Sequence, residues 1–426
     1  MRLLSQLLVV ILCISATYTF GQDIQYSRCN DQRGMNIFEP TKMTNVEYNG
    51  LKVNIGGAFT QGYQKLSHER ADTTIKLYQM AGGFNLAAAN LNLNVQLGDG
   101  IHMLLENYMA ARHHNEFWVK GGYIQIDKLP MFGNPEWFTK YFRVKMGHME
   151  VNYGDQHFRR SDGGNTIFNP FAENYLVDEF ATEIGGEVYA FPMDNLMVML
   201  GMTNGLIRNN IRDYAANPAN GVTKKSPSIL AKVAYDNNGT ENLRYRLSAS
   251  LYTNSETPGN TLFSGDRTGS NYYGVMESTA FDQTANFRSG RVSIGSFNKL
   301  TSIMFNPFIK YRGFEFFGTY EAVSGKTIAE TDNRKSTQMA VDLIYRFLAN
   351  EQAYVGVRYN TLKSRLSGYT ADVSVDRTAI AAGWFPTKNL LLKGEYVIQN
   401  YNDYKTTDIL NGGKFNGIVV QAVVGF

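Results

Sequence analysis

The sequence predicts an all-β chain, a transmembrane antiparallel β-barrel of about sixteen strands, with fourteen to eighteen as the bounds, short turns at one end and long loops at the other. Three observations predict it. Segments of about 10 residues alternate apolar and polar side chains, the length a tilted strand needs to cross a bilayer. The connections between these segments alternate short and long. The composition, with 40 glycines and 13% aromatic residues, suits strands better than helices, and no internal apolar run reaches the 18 or so residues of a membrane helix. A net charge of +3 dispersed over 426 residues excludes a nucleic-acid partner.

The elements follow in chain order. Arg2, the apolar run Leu7 to Ile14 and the small-residue stretch Ala16 to Gly21 read as a signal peptide over 1–21, so the mature chain is expected to start at Gln22. Cys13 lacks the small residue that a lipoprotein signal wants before its cysteine, and Cys29 is then the sole mature cysteine, so no intramolecular disulfide is expected. Residues 22–49 read as a periplasmic N-terminal segment, too short to fill a large lumen, and 50–426 as the barrel. Strands are expected near 50–60, 88–97, 101–110, 116–127, 140–151, 182–191, 195–204, 228–237, 242–253, 301–311, 314–323, 337–348, 353–362, 374–385, 390–401 and 414–426. Residues 61–88 and 288–300 fit the alternation least well. Short turns such as Gly98 to Gly100 and Pro386 to Asn389 alternate with long polar loops expected outside, among them Gly205 to Pro227 and Asn254 to Arg288.

The last strand carries Ile418, Val420, Ala422, Val424 and Phe426 on one face, and Gly417, Val419, Gln421, Val423 and Gly425 on the other. Outer-membrane barrels resemble one another in ending on a strand with an aromatic last residue. The resemblance implies that Phe426 is an assembly signal read by the barrel assembly machinery. It also implies an outer face in contact with membrane lipid and lipopolysaccharide, in a Gram-negative outer membrane.

Two stretches go beyond architecture: "KMGHMEVNYGDQHFRRSDGG" at 145–164 and "NPFAENYLVDEFATEIGGEVY" at 169–189. They resemble the porin-like outer-membrane proteins of Bacteroidetes, a group placed near the phosphate-selective porins O and P. No substrate and no binding residue follows from the resemblance.

The loop Asn152 to Ala181 follows the fifth strand, the position at which general porins fold a loop inward. It is expected to narrow the pore, with Arg159, Arg160, Asp162, Glu173, Asp178 and Glu179 as constriction residues and Phe168, Pro170, Phe171 and Tyr175 as anchors on the wall. Strand parity turns Arg143, Lys145, Lys232, Arg244, Arg246, Lys310, Arg312, Arg346, Arg358 and Lys393 toward the lumen, against Glu106, Glu183, Glu187, Glu315, Glu321, Asp342 and Glu395. Arg or Lys at the bilayer midplane costs about 2–4 kcal/mol, which fixes these registers.

His148, Asp155 and His157 lie close in sequence, and His113-His114 fall between strands. They do not form a set of three or four converging metal ligands or a Ser, His and carboxylate cluster, so no enzyme, metal or cofactor is expected. The predicted function is a porin for passive diffusion of small hydrophilic solutes with a mild anion preference. The alternative is a non-conducting barrel acting as scaffold or receptor in secretion, motility or adhesion. Assembly as a homotrimer is compatible with either.

Overall fold

A computed structural model describes residues 23–426 apart from 73, 111–115, 163, 209–210 and 241; the signal peptide and His113-His114 lie outside the described residues. The strands are β1 (Lys52–Glu69), β2 (Gly83–Phe84), β3 (Ala88–Gly98), β4 (Ile101–Met109), β5 (Trp118–Ile126), β6 (Phe142–Glu150), β7 (Thr182–Met193), β8 (Leu196–Thr203) and β9 (Ser228–Thr240). They continue with β10 (Leu243–Asn254), β11 (Lys299–Tyr311), β12 (Phe314–Lys326), β13 (Arg334–Phe347), β14 (Ala353–Ser364), β15 (Val373–Thr387), β16 (Leu390–Asn402) and β17 (Lys414–Gly425). Apart from the two-residue β2, these sixteen long strands form one closed antiparallel barrel in which sequence neighbours pair.

Closure falls on β1. Its first half pairs with β3, from Lys52↔Gln96 to Thr60↔Ala88. Its second half pairs with β17, from Ala58↔Gly425 to Glu69↔Lys414. That double duty makes β1 longer than the predicted 50–60. It also explains the irregular stretch after it, because past Thr60 only β2 covers the freed edge, at Tyr63↔Phe84.

Alternation sorts each strand into a lipid row and a lumen row. On β13, Met339, Val341, Leu343, Tyr345 and Phe347 are exposed outward, while Gln338, Ala340, Asp342, Ile344 and Arg346 are buried inward. An unpaired backbone amide in hydrocarbon costs several kcal/mol, so only a closed ladder is tolerated there. Tyr245, Tyr311, Phe314, Tyr345, Trp384 and Phe426 stand exposed near the turn end and form an aromatic girdle. The connection from β5 to β6 carries a short helix, α1 (Glu136–Tyr141), unforeseen from the sequence, whose Trp137 packs edge-on to Phe142 at 5.7 Å.

Candidate functional site: a filled lumen with a lateral cavity

Three segments enter the barrel. The first is the N-terminal one. Expected as a periplasmic segment, it runs inside the turn-end mouth instead. Gln25 donates to the Asp99 carboxylate at 3.1 Å, Asn30 to the Gly57 carbonyl at 2.7 Å and Asn36 to Glu315 at 2.7 Å. Glu39 meets Lys232 at 2.8 Å and Arg246 at 2.6 Å, and Asp155 meets the same two cations at 2.8 and 2.7 Å. Lys42 reaches Asp127 at 3.0 Å, beside Arg143 at 2.9 Å. The segment fills the lumen only jointly with two loops, which is why its length alone misled.

Burial pushes the Glu39 carboxyl up, but Arg246 and Lys232 outweigh it and hold it at about 2, with Asp155 opposing them. A folded value below the unfolded value of about 4.3 means that this tie contributes fully above the unfolded value and is lost as pH falls toward 2. Pepsin cleavage within 24–42, normalised to an unfolded substrate, is therefore expected to rise as pH drops below about 4. Glu39→Gln should release the segment already at pH 4; identical cleavage profiles for variant and wild type would contradict this.

The second segment is the loop 151–181, most of whose described residues are buried. It is stitched to the wall from β10 to β16. Gly154 N–H donates to Ser250 at 3.1 Å, Asp155 N–H to Asn306 at 2.8 Å, Val177 N–H to Gln338 at 2.8 Å, Leu176 N–H to Asn360 at 2.6 Å and Ala172 N–H to Glu395 at 2.8 Å. Lys393 spends its three donors on the carbonyls of Thr166, Asn169 and Phe171 at 3.2, 2.9 and 2.7 Å. Phe168 and Phe171 pack with Ile344, Tyr354, Phe385, Leu391 and Val423, and Tyr175 with Phe38, Phe308 and Phe317. The Pro170 carbonyl accepts from the Tyr354 hydroxyl at 2.9 Å.

The third segment is the loop 255–298, whose stretch Asn254 to Arg288 was expected to stand outside. It folds inward over the second: Phe180 bridges Phe263, and Val292 N–H donates to the Leu176 carbonyl at 2.7 Å. Arg291 ties Glu173 at 2.7 Å and Asp178 at 2.5 Å, and approaches Asp162 at 3.4 Å. Arg377 of β15 joins both loops to the wall, donating to the carbonyls of Asn174 at 2.7 Å and Gly290 at 2.8 Å.

The expected constriction residues are thus consumed in pairs. Arg159 meets Glu315 at 2.7 Å, and Arg160 meets Asp162 and Asp178, both at 2.7 Å. Burial and neighbouring Glu321 drive the Glu179 carboxyl well upward, and Gln338 donates to it at 2.6 Å. Only about 10 Å³ remains among Gln156, Arg159, Arg160, Tyr175 and Glu179, so these side chains fill space instead of lining a passage.

The wall residues divide similarly. Arg346 pairs with Glu315 at 2.7 Å and Arg358 with Asp342 at 2.6 Å. Glu183 accepts from Tyr252 at 2.6 Å and Glu187 from the Asn152 N–H at 2.9 Å. Arg244 and Lys310 sit near the turn-end rim, paired with Asp236 and Glu351 at 2.8 and 2.7 Å. Arg312 is corrected: it occupies the turn Arg312-Gly313 with positive φ, exposed, and does not line the lumen. Arg377, Arg291, Asp155 and Glu39 were missed. For Arg377 the signal existed, since an arginine at strand-centre depth must face inward.

What stays empty is a cavity of about 870 Å³ against the wall of β3 to β6. It extends from Lys388, Asn389 and Phe426 at the turn end to Glu150 and Gly164 beside the second segment. Glu106, Tyr123 and Lys145 project from the wall; Arg28, His157 and Phe158 face them from the inserted segments. Lys120, at the upper end, is neutralised by Asp266 at 2.9 Å. No group of three or more metal-ligating side chains occurs among the described residues.

Sixteen antiparallel strands, an apolar outer row, an aromatic girdle at the turn end and a polar lumen entered by inserted segments define an outer-membrane β-barrel. Solved structures share this fold: OmpT of Vibrio cholerae, expressed in the outer membrane (TM-score 0.51, 10% identity, 89% of this chain and 99% of that one); an anion-selective porin from Comamonas acidovorans (0.52, 11%, 88% and 100%); and the outer membrane channel DcaP of Acinetobacter baumannii (0.52, 13%, 89% and 99%). At these identities the likeness shows the fold alone. No protein-family model and no curated protein sequence matches the chain.

Proposed function

We propose that the protein is a porin through which small hydrophilic solutes diffuse passively, with a mild anion preference. The observation that carries this reading is the polar cavity along β3 to β6, the part of the cross-section that the inserted segments leave free. Liposome swelling tests it: proteoliposomes should admit glucose and exclude larger oligosaccharides, and impermeability to both would sink the reading. A non-conducting scaffold or receptor is the second reading, favoured by the packing of both loops against β9 to β17 and of the N-terminal segment across the turn-end mouth. The resemblance to Bacteroidetes porin-like proteins supports placing the chain with that group, since its two stretches form β6, the start and end of the stitched loop, and β7.

The anion preference rests on the cavity, because charges paired elsewhere in the lumen are screened over a Debye length of about 8 Å. Arg28, Arg33, Lys120, Arg143, Lys145 and Lys388 line it, against Asp23, Asp31, Glu39, Glu106 and Glu150. Replacing Arg28 and Lys145 by Ser removes two of the cavity's cations and is expected to move the reversal potential in a salt gradient toward cations. A wild-type pore already cation-selective would refute the preference.

A further inference from the structure

Two charged side chains on the cavity wall, opposite in sign, make no ion pair among the described residues, and Glu150 above them reaches only the His157 ring, at 3.8 Å. Glu106 stands on β4 and Lys145 on β6, with Tyr123 of β5 between them in register: Glu106 lies level with Gly121, Lys145 with Gln125. Four strand residues separate the two levels, about 13 Å at ~3.3 Å per residue. The Lys145 ammonium leans inward over the Tyr123 ring, 4.0 Å from its centroid. The other cations near them on the wall are already matched, Lys120 by Asp266 and Arg143 by Asp127, each at 2.9 Å.

The surroundings of the two charges differ in kind. At the Glu106 level β3 presents Asn92, directly across, and Asn94 one step below. The side-chain carbonyl oxygens of both are buried without a hydrogen-bond partner, so this end offers a carboxylate and two further acceptors. The Asn94 amide nitrogen is already used on the Ser27 hydroxyl at 2.9 Å. An ammonium with three N–H donors is the group that satisfies such a set. At the Lys145 level the Gln125 amide nitrogen is held by Asp127 at 2.7 Å, which leaves the lysine ammonium as the free donor. That end suits a carboxylate.

We infer that the cavity holds a subsite for small zwitterions of about dipeptide length, with the solute's ammonium at Glu106, Asn92 and Asn94 and its carboxylate at Lys145, whose ammonium reaches back toward Glu106 over Tyr123. The inference rests on the porin reading and deepens it. A net-neutral solute with separated charges gains from both ends, whereas a simple anion meets Glu106 and a sugar leaves both charges unmatched.

Swelling of liposomes containing the mature wild-type protein in glycylglycine, relative to glucose, measures the effect. The expected ratio exceeds what size alone gives, and Glu106→Gln with Lys145→Gln lowers it about five-fold. Heat-modifiable migration checks that the double variant is folded. Should it fail to assemble, glycylglycine must still produce concentration-dependent interruptions of wild-type ion current that glucose does not. An unchanged ratio in folded variants, or wild-type current insensitive to glycylglycine, overturns the subsite while leaving the porin reading intact. Impermeability to both solutes overturns the porin reading and the subsite with it.

Discussion

Removing residues 162–173 is expected to raise single-channel conductance about three-fold or more and to admit larger sugars. The deletion takes out Phe168 and Phe171, whose rings close the dry contact with Ile344, Tyr354 and Phe385. It also removes the acceptors of Lys393 and the N–H that Glu395 receives from Ala172. Water replaces these partners in a lumen, whereas it could not in a sealed core. The effect spreads further, because Arg291 then loses Glu173 and Asp162, two of the three carboxylates that hold the third inserted segment down. The ladder from β1 to β17 is independent of these contacts, so the barrel should persist. Unchanged conductance in a heat-modifiable variant would show that this loop does not set the size limit.

Deleting Phe426 is expected to lower the assembled protein about ten-fold, against less than two-fold for Phe305→Ala, an aromatic on the lipid row of β11. Phe426 extends the closing seam: its N–H donates to the Gly57 carbonyl at 3.0 Å and its carbonyl accepts from Gly57 N–H at 2.9 Å. Gly57 leaves room for the ring, since a Cβ there would stand 2.9 Å from it and 2.9 Å from the Asn90 carbonyl. Gly57→Val should accordingly reproduce part of the loss. Semi-native electrophoresis of outer membranes measures both, and normal levels of heat-modifiable barrel after the deletion would count against an assembly role for the residue.

Strands were legible because a bilayer outside and a polar lumen inside impose opposite demands on alternate residues. On β13 each apolar residue from Met339 to Phe347 on one parity faces out, and Asp342 and Arg346 face in. The inserted segments were less legible because their contacts are long-range and obey no period: Arg291 meets Glu173 across more than a hundred residues, and Asn36 meets Glu315 across 279. One signal did point inward. Val419 and Val423 occupy the lumen parity of β17, where a water-filled pore would have no use for them, and both are buried beneath the inserted loops. Val375 and Val397 repeat that pattern on β15 and β16. Tyr175 and Phe171, in contrast, were recognisable as anchors from their aromatic character in a loop too rich in apolar side chains to stand in solvent. Arg312 escaped because parity was extended one residue past the end of β11, into the turn.

The central claim is that the lumen conducts only through what the inserted segments leave open along β3 to β6. Single-channel recording of the purified mature protein in a planar bilayer tests it most directly. The expected trace shows small, steady steps, well below those of an unobstructed sixteen-stranded pore, which grow when residues 162–173 are removed. Steps of full open-pore size from the wild type, or no conductance in either protein, would contradict it.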